Sequence, residues 1–277
     1  MITALDTLDP ADATRLRDAP GLSDEARVRL RGPVEGVVHL LAADGAYAQL
    51  DRHDGAVELV GDDEATLRAL VDEAARRRGD DVLVWSHAED DATARALRAL
   101  EAVQERVLWR LRRPDLPLPA PRPFPAGVTV RAFEVGRDEA AWLAVNAAAF
   151  AAHPEQGRTT LADLQAREAE AWFDPEGFLL AEREGELVGF HWTKAHLDQR
   201  PPVGEVYVLG VAPAGQGTGL GGALLDAGLA HLRARGLGET VLYVDDDNPR
   251  AVGLYERAGF VRDHRDTRWR VAVGTRP

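Results

Sequence analysis

Short runs of alternating apolar and polar residues occur throughout this chain, separated by stretches with helical spacing. In the second half the pattern predicts strands at 128–132, 177–182, 187–194, 205–211 and 240–244, with closing strands at Val261 and 268–273. Helices are predicted at 139–150, 161–172, 219–235 and 249–258. The turn Arg183-Glu-Gly-Glu186 indicates a hairpin. Because hairpins come first and a strand–helix–strand crossover follows, we expect an α/β layer with helices on both faces of a mixed sheet.

The first half repeats this pattern. A strand at 81–85 and a helix with Ala94 and Leu97 match the strand at 240–244 and a helix with Ala251 and Leu254. The strand at 56–60 matches 205–211, and the runs 107–111 and 267–271 end the two copies. One repeat of domain size indicates tandem domains rather than a solenoid. The proline-rich stretch 114–126 then predicts a semi-rigid linker between a domain at 1–113 and a domain at 127–277.

Composition narrows the possible functions. The 277 residues are 45% hydrophobic, which is enough for two cores, and the net charge of −13 argues against nucleic acid as a partner. The absence of cysteine excludes disulfides and thiolate chemistry, and we expect no metal site. No apolar run approaches the roughly 20 residues of a membrane span, and no signal peptide is recognisable. We therefore expect a cytoplasmic protein, and by default a monomer.

A glycine-rich turn follows the predicted strand at 205–211 and leads directly into a helix. Glycines permit positive φ and a close approach of the backbone to a ligand. The first N–H groups of the helix have no internal partner, and the helix terminus adds partial positive charge. The segment 216–222 is therefore a candidate site for a phosphate or pyrophosphate group.

Three interpretations of this turn compete. It could be a plain glycine-rich turn, or a dinucleotide-binding loop, since Gly217, Gly219 and Gly222 have the required spacing and Asp245 could contact a ribose. The dinucleotide fold, however, begins with this strand, whereas here antiparallel strands precede it. The third interpretation is the acetyltransferase pattern Gln/Arg-x-x-Gly-x-Gly/Ala, which Gln216-Gly-Thr-Gly-Leu-Gly221 matches in full.

Through this motif the second half resembles the GNAT N-acetyltransferase superfamily. Its second signature, Asn-x-x-Ala-x-x-Leu-Tyr-x-x-x-Gly-Phe, is matched from Asn248 to Phe260. The resemblance implies two tandem GNAT domains, each a mixed, mostly antiparallel sheet flanked by helices. It also implies acetyl-CoA as co-substrate and a small-molecule primary amine as acceptor.

A finer resemblance is carried by four segments: Phe150-Ala-Ala-His-Pro-Glu-Gln-Gly157, Glu170-Ala-Trp-Phe-Asp-Pro175, Gly189-Phe-His-Trp-Thr-Lys194 and Gly204-Glu-Val-Tyr-Val-Leu-Gly-Val211. They are similar to the mycothiol synthases, a tandem GNAT family of actinobacteria. That resemblance implies acetylation of the cysteinyl amine of cysteinyl-glucosaminyl-inositol. Two alternatives stay open, namely a GNAT enzyme for another amine (an aminoglycoside, a polyamine or a protein N-terminus) and a non-enzymatic acyl-CoA-binding module.

The resemblance also implies residue roles. Glu205 is implied as the general base and Tyr255 as the acid that protonates the departing thiolate. Acetyl-CoA would be held by the following residues: Leu209, Gly210, Val211, Gln216, Gly217, Thr218, Gly219, Leu220, Gly221, Gly222, Asn248 and Arg250. The amine substrate would contact Asp24, Glu155, Lys194, Glu205 and Tyr243. Lys194 is the only lysine of the chain, which agrees with a specific role.

The first copy departs from the motif. After its strand at 56–60 it has Gly61-Asp-Asp-Glu64, whose carboxylates would repel a pyrophosphate, and Arg98 aligns with Tyr255. We predict that this copy does not catalyse and serves as a scaffold. The chain would then have two domains of one fold and one working active site.

Overall fold

The computed structural model describes residues 1–17, 19, 22–87, 91–151, 153 and 156–273. They form two compact units. Unit 1 contains Met1–Trp109, Asp245–Asn248 and His264–Pro277, and unit 2 contains Arg110–Val244 and Pro249–Asp263. The units therefore differ from the linear division at 113 and 127, because the end of the chain belongs to unit 1.

Unit 1 is a mixed sheet with helices. Its elements from the first half are β1 (Ile2–Leu5), α1 (Pro10–Arg17), α2 (Asp24–Arg29), β2 (Val37–Ala42), β3 (Tyr47–Asp51), β4 (Ala56–Val60), α3 (Glu64–Arg78), β5 (Val82–Ser86) and α4 (Ala92–Ala99). Strands β1 to β4 pair antiparallel in sequence order, and β4 pairs with β5 in parallel. Strand β6 (Val103–Arg113) passes from unit 1 to unit 2 after Trp109.

Unit 2 repeats this order. Its elements are β7 (Val128–Ala132), α5 (Glu139–Ala149), α6 (Leu161–Glu168), β8 (Phe178–Arg183), β9 (Glu186–His196), β10 (Val203–Val211), α7 (Leu220–Ala234), β11 (Thr240–Asp245) and α8 (Pro249–Arg257). Strands β7 to β10 are antiparallel neighbours, and β10 pairs with β11 in parallel. The predicted hairpin is confirmed, with Glu184 and Gly185 at positive φ between β8 and β9. The predicted mixed sheet flanked by helices is likewise confirmed.

The last strand, β12 (Val261–Val271), belongs to unit 1 from His264 onward. Its residues Thr267 to Val271 pair antiparallel with β5. Trp269 and Val271 are buried in the core of unit 1, and the Trp269 indole N–H donates to Ser86 Oγ at 2.9 Å. The sequence predicted this strand but assigned it to the second domain.

Two other segments differ from expectation. Helix α6 ends at Glu168 rather than Trp172, because the chain turns inward so that Trp172 and Phe173 pack against Trp192. The proline-rich segment 114–126, predicted to be a semi-rigid linker between two domains, is part of unit 2. Arg122 binds Asp226 of α7 through its main-chain N–H and two guanidinium nitrogens, at 2.6 to 2.9 Å.

Candidate active site

Strands β10 and β11 are paired at one end and separate toward the other. In the described chain, Gly204 pairs with Thr240 and Glu205 with Val241, and the parallel register ends there. Beyond this point β10 continues to Val211, paired with β9. The gap between the two strands is open to a ligand that can hydrogen-bond to main-chain groups.

Two main-chain donors of β10 face this gap. The N–H of Ala212 donates to the Val188 carbonyl at 3.0 Å, on the β9 side. Successive residues of an antiparallel pair direct their N–H groups to opposite sides, so Leu209 and Val211 point away from β9 and Gly210 points toward it. Gly210 serves packing instead, because a Cβ there would lie 2.6 Å from the Phe190 ring.

The glycine-rich loop has the backbone of an anion site. Gly217 and Gly219 have φ of +76° and +90°, in the left-handed region that favours glycine. Helix α7 begins at Leu220 with Gly219 as its N-cap, and no side chain caps it. Among the described residues, the N–H groups of Leu220 and Gly221 have no acceptor. The positive end of α7 is therefore free to bind a phosphate.

Side chains of the loop brace its shape. Gln216 Nε2 donates to the Val211 carbonyl at 3.1 Å, and its Oε1 accepts from Arg250 at 2.9 Å. Thr218 Oγ1 donates to the Gly215 carbonyl at 2.7 Å. Gln216 and Thr218 thus hold the turn, while its main-chain N–H groups remain available.

Three residues with predicted substrate roles lie on one face of the sheet. Glu205 and Lys194 are direct cross-strand partners, so their side chains project from the same face. Val241 is the parallel partner of Glu205, and Tyr243, two residues further along β11, projects to that face as well. Tyr243 is 47% exposed, so its side chain is accessible to a ligand.

Aromatic rings hold the Lys194 ammonium. Its Nζ lies 4.9 Å from the centre of the Trp172 ring and 5.5 Å from that of Tyr207. Arg167 of α6 donates to the Tyr207 hydroxyl at 2.8 Å. The sequence predicted no role for Trp172 or Tyr207. Tyr207 could have been found from the sequence, because it follows Glu205 by two residues in the strand at 205–211 and alternate side chains of a strand project from the same face.

Glu205 is a buried carboxylate, 7% exposed. Its Oε2 lies 2.6 Å from His196 Nε2. No sequence motif indicated His196 either, although it follows Lys194 by two residues and so belongs to the same face of β9. A buried carboxylate with a fixed partner beside an open strand end is a candidate general base.

Tyr255 lies on α8 and is 8% exposed. Burial raises the pKa of its phenol well above the ordinary value, so the hydroxyl stays protonated near neutral pH. In the described structure this hydroxyl has no hydrogen-bond partner. Leu254, its neighbour, reaches within 4.0 Å of where a Cβ on Gly221 would stand, so α8 packs beside the start of α7. A protonated, unpaired phenol there could protonate a leaving thiolate.

Three predicted site residues remain to be placed, namely Asn248, Asp24 and Glu155. Asn248 lies in the turn before α8, and its N–H donates to the Asp245 carbonyl at 3.1 Å. Asp24 is the first residue of α2, and its side chain lies outside the described part of the structure. Glu155 also lies outside the described residues. Within the described ranges, no group of three or more His, Cys, Asp or Glu side chains could hold a metal ion.

The matching turn of unit 1 is built differently. Asp63 caps α3 by accepting from the Thr66 N–H at 2.8 Å, and Thr66 Oγ1 donates to Asp44 Oδ2 at 2.9 Å. The hydrogen bonds that Asp44 accepts from the Ala46 N–H, which has the larger effect, and from Thr66 Oγ1 lower the pKa of its carboxyl group and keep it ionised. The protein's own carboxylates therefore occupy the helix terminus that is free in unit 2.

Known proteins match this chain closely. The model of the Acetyltransferase (GNAT) family matches residues 142–260. A mycothiol acetyltransferase of Streptomyces coelicolor is 49% identical over 279 residues, covering 94% of this chain and 88% of its own. A mycothiol acetyltransferase of Parafrankia sp. is 46% identical over 317 residues, and the alignment covers 97% of each chain. The chain belongs to the mycothiol acetyltransferase family. It is therefore an amine acetyltransferase of the GNAT superfamily.

Solved structures of GNAT proteins share the fold of this chain. A GCN5-related N-acetyltransferase from Sphaerobacter thermophilus is 26% identical, with a TM-score of 0.72 over 100% of this chain and 98% of its own. A tandem GNAT protein from the clavulanic acid biosynthesis pathway is 14% identical, with a TM-score of 0.70 over 100% and 99%. The second match shows the fold alone, and it bears out the tandem GNAT architecture. Of the helices described, none is long and apolar enough to cross a bilayer.

Proposed function

We propose that this protein transfers the acetyl group of acetyl-CoA to the cysteinyl amine of cysteinyl-glucosaminyl-inositol, which yields mycothiol. The names of its relatives motivate the substrate. The observation that carries the proposal is the placement of Glu205 and Lys194 as cross-strand partners where β10 and β11 separate. A carboxylate and a cation therefore lie on one face of the sheet, beside main-chain donors.

Acetyl-CoA would bind along the gap and the glycine-rich loop. The free N–H groups at the start of α7 suit its pyrophosphate, with Gln216 and Arg250 bracing the loop. The Leu209 and Val211 N–H groups face the gap where the acetyl carbonyl would lie. Donors aimed at that oxygen stabilise the charge that develops on it when the amine attacks.

Proton transfers at the amine and at the thiolate complete the reaction. The acceptor amine is largely protonated near neutral pH and attacks only as the free base, so Glu205 takes one proton from it. The amine nitrogen then forms a bond to the acetyl carbon, and the bond from that carbon to sulfur breaks. As the amide forms, the nitrogen releases its second proton to solvent, from which the phenol of Tyr255 is later reprotonated. Tyr255, kept protonated by burial, supplies the proton that the departing thiolate takes up. Lys194 and Tyr243 would bind hydroxyl groups of the sugar and the inositol, with Glu155 and Asp24 as further contacts.

Unit 1 would take no direct part in this chemistry. Its helix terminus is capped by Asp63, and a phosphate there would meet the carboxylate of Asp44 as well. We therefore propose one acetyl-CoA site per chain. Because acetyl-CoA is a cytoplasmic metabolite, we also propose that the enzyme acts in the cytoplasm, as a monomer.

A CoA-release assay with cysteinyl-glucosaminyl-inositol tests the substrate. We expect saturable CoA release, with the acetyl group on the cysteinyl nitrogen of the product by mass spectrometry. The same assay would include an aminoglycoside, a polyamine and a peptide N-terminus. Faster turnover of one of these, with none on the mycothiol precursor, would overturn the proposed substrate.

Isothermal titration with acetyl-CoA tests how many molecules bind to each chain. We expect one, and a stoichiometry of two would contradict the role proposed for unit 1.

A further inference from the structure

A histidine holds the carboxylate of Glu205 in place. The His196 Nε2 lies 2.6 Å from Glu205 Oε2, which is a short hydrogen bond. The side chains are 20% and 10% exposed, so little water competes for this contact. His196 is the cross-strand partner of Val203, two residues before Glu205, so both side chains project from one face of the sheet.

The direction of this hydrogen bond follows from the two groups. An ionised carboxylate only accepts hydrogen bonds, so the proton lies on His196 Nε2. The bond uses Oε2 and leaves Oε1 without a partner in the described part of the structure. A base must offer a free lone pair in a fixed direction, and Oε1 is the oxygen that can do so.

We propose that His196 is a positioning residue for the transfer of the acetyl group. Its Nε2–H fixes the Glu205 carboxylate so that Oε1 faces the incoming ammonium and takes one of its protons. This rests on the proposed role of Glu205 as the base. His196 itself touches neither substrate, and its effect passes through Glu205 alone.

The alanine and glutamine variants of His196 test this role. We expect His196→Ala to lower kcat by about 10- to 100-fold, the usual loss when a partner that orients a functional group is removed. The Kd for acetyl-CoA should stay within about twofold, because the loop at 216–222 is untouched. His196→Gln keeps an N–H donor at nearly the same reach, so it should recover much of the lost kcat.

A double-mutant cycle separates positioning from general stability. If His196 acts through Glu205, His196→Ala should have little effect on kcat in a Glu205→Gln background, since coupled residues are not additive. His231→Ala is the matched control. His231 Nε2 lies 3.0 Å from Asp174 Oδ2 with a side-chain exposure of 19%, and it is on α7, away from the Glu205 face. This control should leave kcat unchanged.

The outcomes distinguish the two proposals. Equal losses of kcat for His196→Ala in the wild-type and Glu205→Gln backgrounds would overturn the positioning role, and so would an unchanged kcat in the single variant. If the wild type acetylates a different amine, the substrate proposal fails, and the same cycle on that amine still tests His196. If the alanine variant does not fold, the glutamine variant decides, because equally low kcat values for the folded His196→Gln and Glu205→Gln enzymes would contradict a positioning donor.

Discussion

At the scale of single residues, burial determines what the polar groups can do. Glu205 is held with one oxygen bound and the other free. Tyr255 is buried without a partner, and burial raises the pKa of its phenol, so it remains an acid. The same physical effect, removal from water, thus supports a fixed base at one residue and a proton donor at the other.

Replacing the proposed base tests its role directly. Glu205→Gln keeps the size and the contact with His196 but cannot take a proton, so we expect kcat to fall by about 100-fold or more near neutral pH. The loss should shrink at high pH, where the amine is already neutral. Steady-state kinetics across pH 6.5 to 9.5 would measure this. Glu186→Gln, at the exposed start of β9, is the control and should behave as wild type.

Two glycines of the loop should respond differently to a methyl group. Gly219 has φ of +90°, where an L-residue is strained by about 1–2 kcal/mol, so Gly219→Ala should weaken acetyl-CoA binding by about 5- to 30-fold. Gly221→Ala should bind nearly as wild type, since a Cβ there would lie 3.6 Å from Val211, an ordinary contact. Isothermal titration of both variants gives the comparison. Equal losses would contradict this account of the loop.

At the scale of elements, a neutral histidine joins β9 to α7. The His191 side chain is fully buried, and its Nδ1 lies 2.8 Å from the Leu224 carbonyl of α7. Burial lowers its pKa to about 4, so Nδ1 carries the proton of a neutral ring and donates to that carbonyl. This contact fixes the helix that presents the loop.

The stability of this packing should therefore depend on pH. Below the ordinary histidine pKa of 6.5 the unfolded chain binds a proton that the folded chain excludes until about pH 4, so stability falls as pH drops through this window. From pH 7 to pH 5 the loss from His191 is about 2 kcal/mol. Native-state hydrogen exchange of β9 and α7 amides would measure it against His191→Gln, which keeps a donor but does not titrate. The same pH dependence in both proteins would rule out His191 as the cause.

At the scale of the whole molecule, chain order and unit membership do not coincide. From His264 onward, the last strand follows the predicted catalytic motifs in sequence but is part of unit 1, where Trp269 is 4% exposed. The segment from Asp245 to Asn248 also belongs to unit 1. Changes near the end of the chain should therefore affect the N-terminal fold.

Because most of the last strand belongs to unit 1, a substitution of a buried residue there should destabilise unit 1. Trp269→Ala removes a buried indole and its bond to Ser86, which should cost about 3–5 kcal/mol. Hydrogen exchange should show the loss in β4 and β5 of unit 1. Val261→Ala, in the same strand but 52% exposed, is the control and should change stability by less than about 0.5 kcal/mol. Loss of protection confined to unit 2 in the Trp269 variant would contradict the assignment.

Much of the architecture was determined by the sequence alone. Hydrophobic periodicity located most strands and helices of the second half, because each element buries one face and its apolar residues recur with its period. The loop from Gln216 to Gly221 and the signature from Asn248 to Phe260 indicated the superfamily, since their spacing reflects a backbone shape that few other residues permit.

Only the tertiary structure decided the rest. The two copies end in similar alternating runs, so no local pattern could tell that Thr267 to Val271 would pair with β5. His196 and the rings that hold Lys194 were missed because cross-strand neighbours depend on register, and β10 has an irregularity between Val206 and Val208 that shifts it. Sequence determines which faces must be buried, whereas pairing between distant segments determines which polar groups meet.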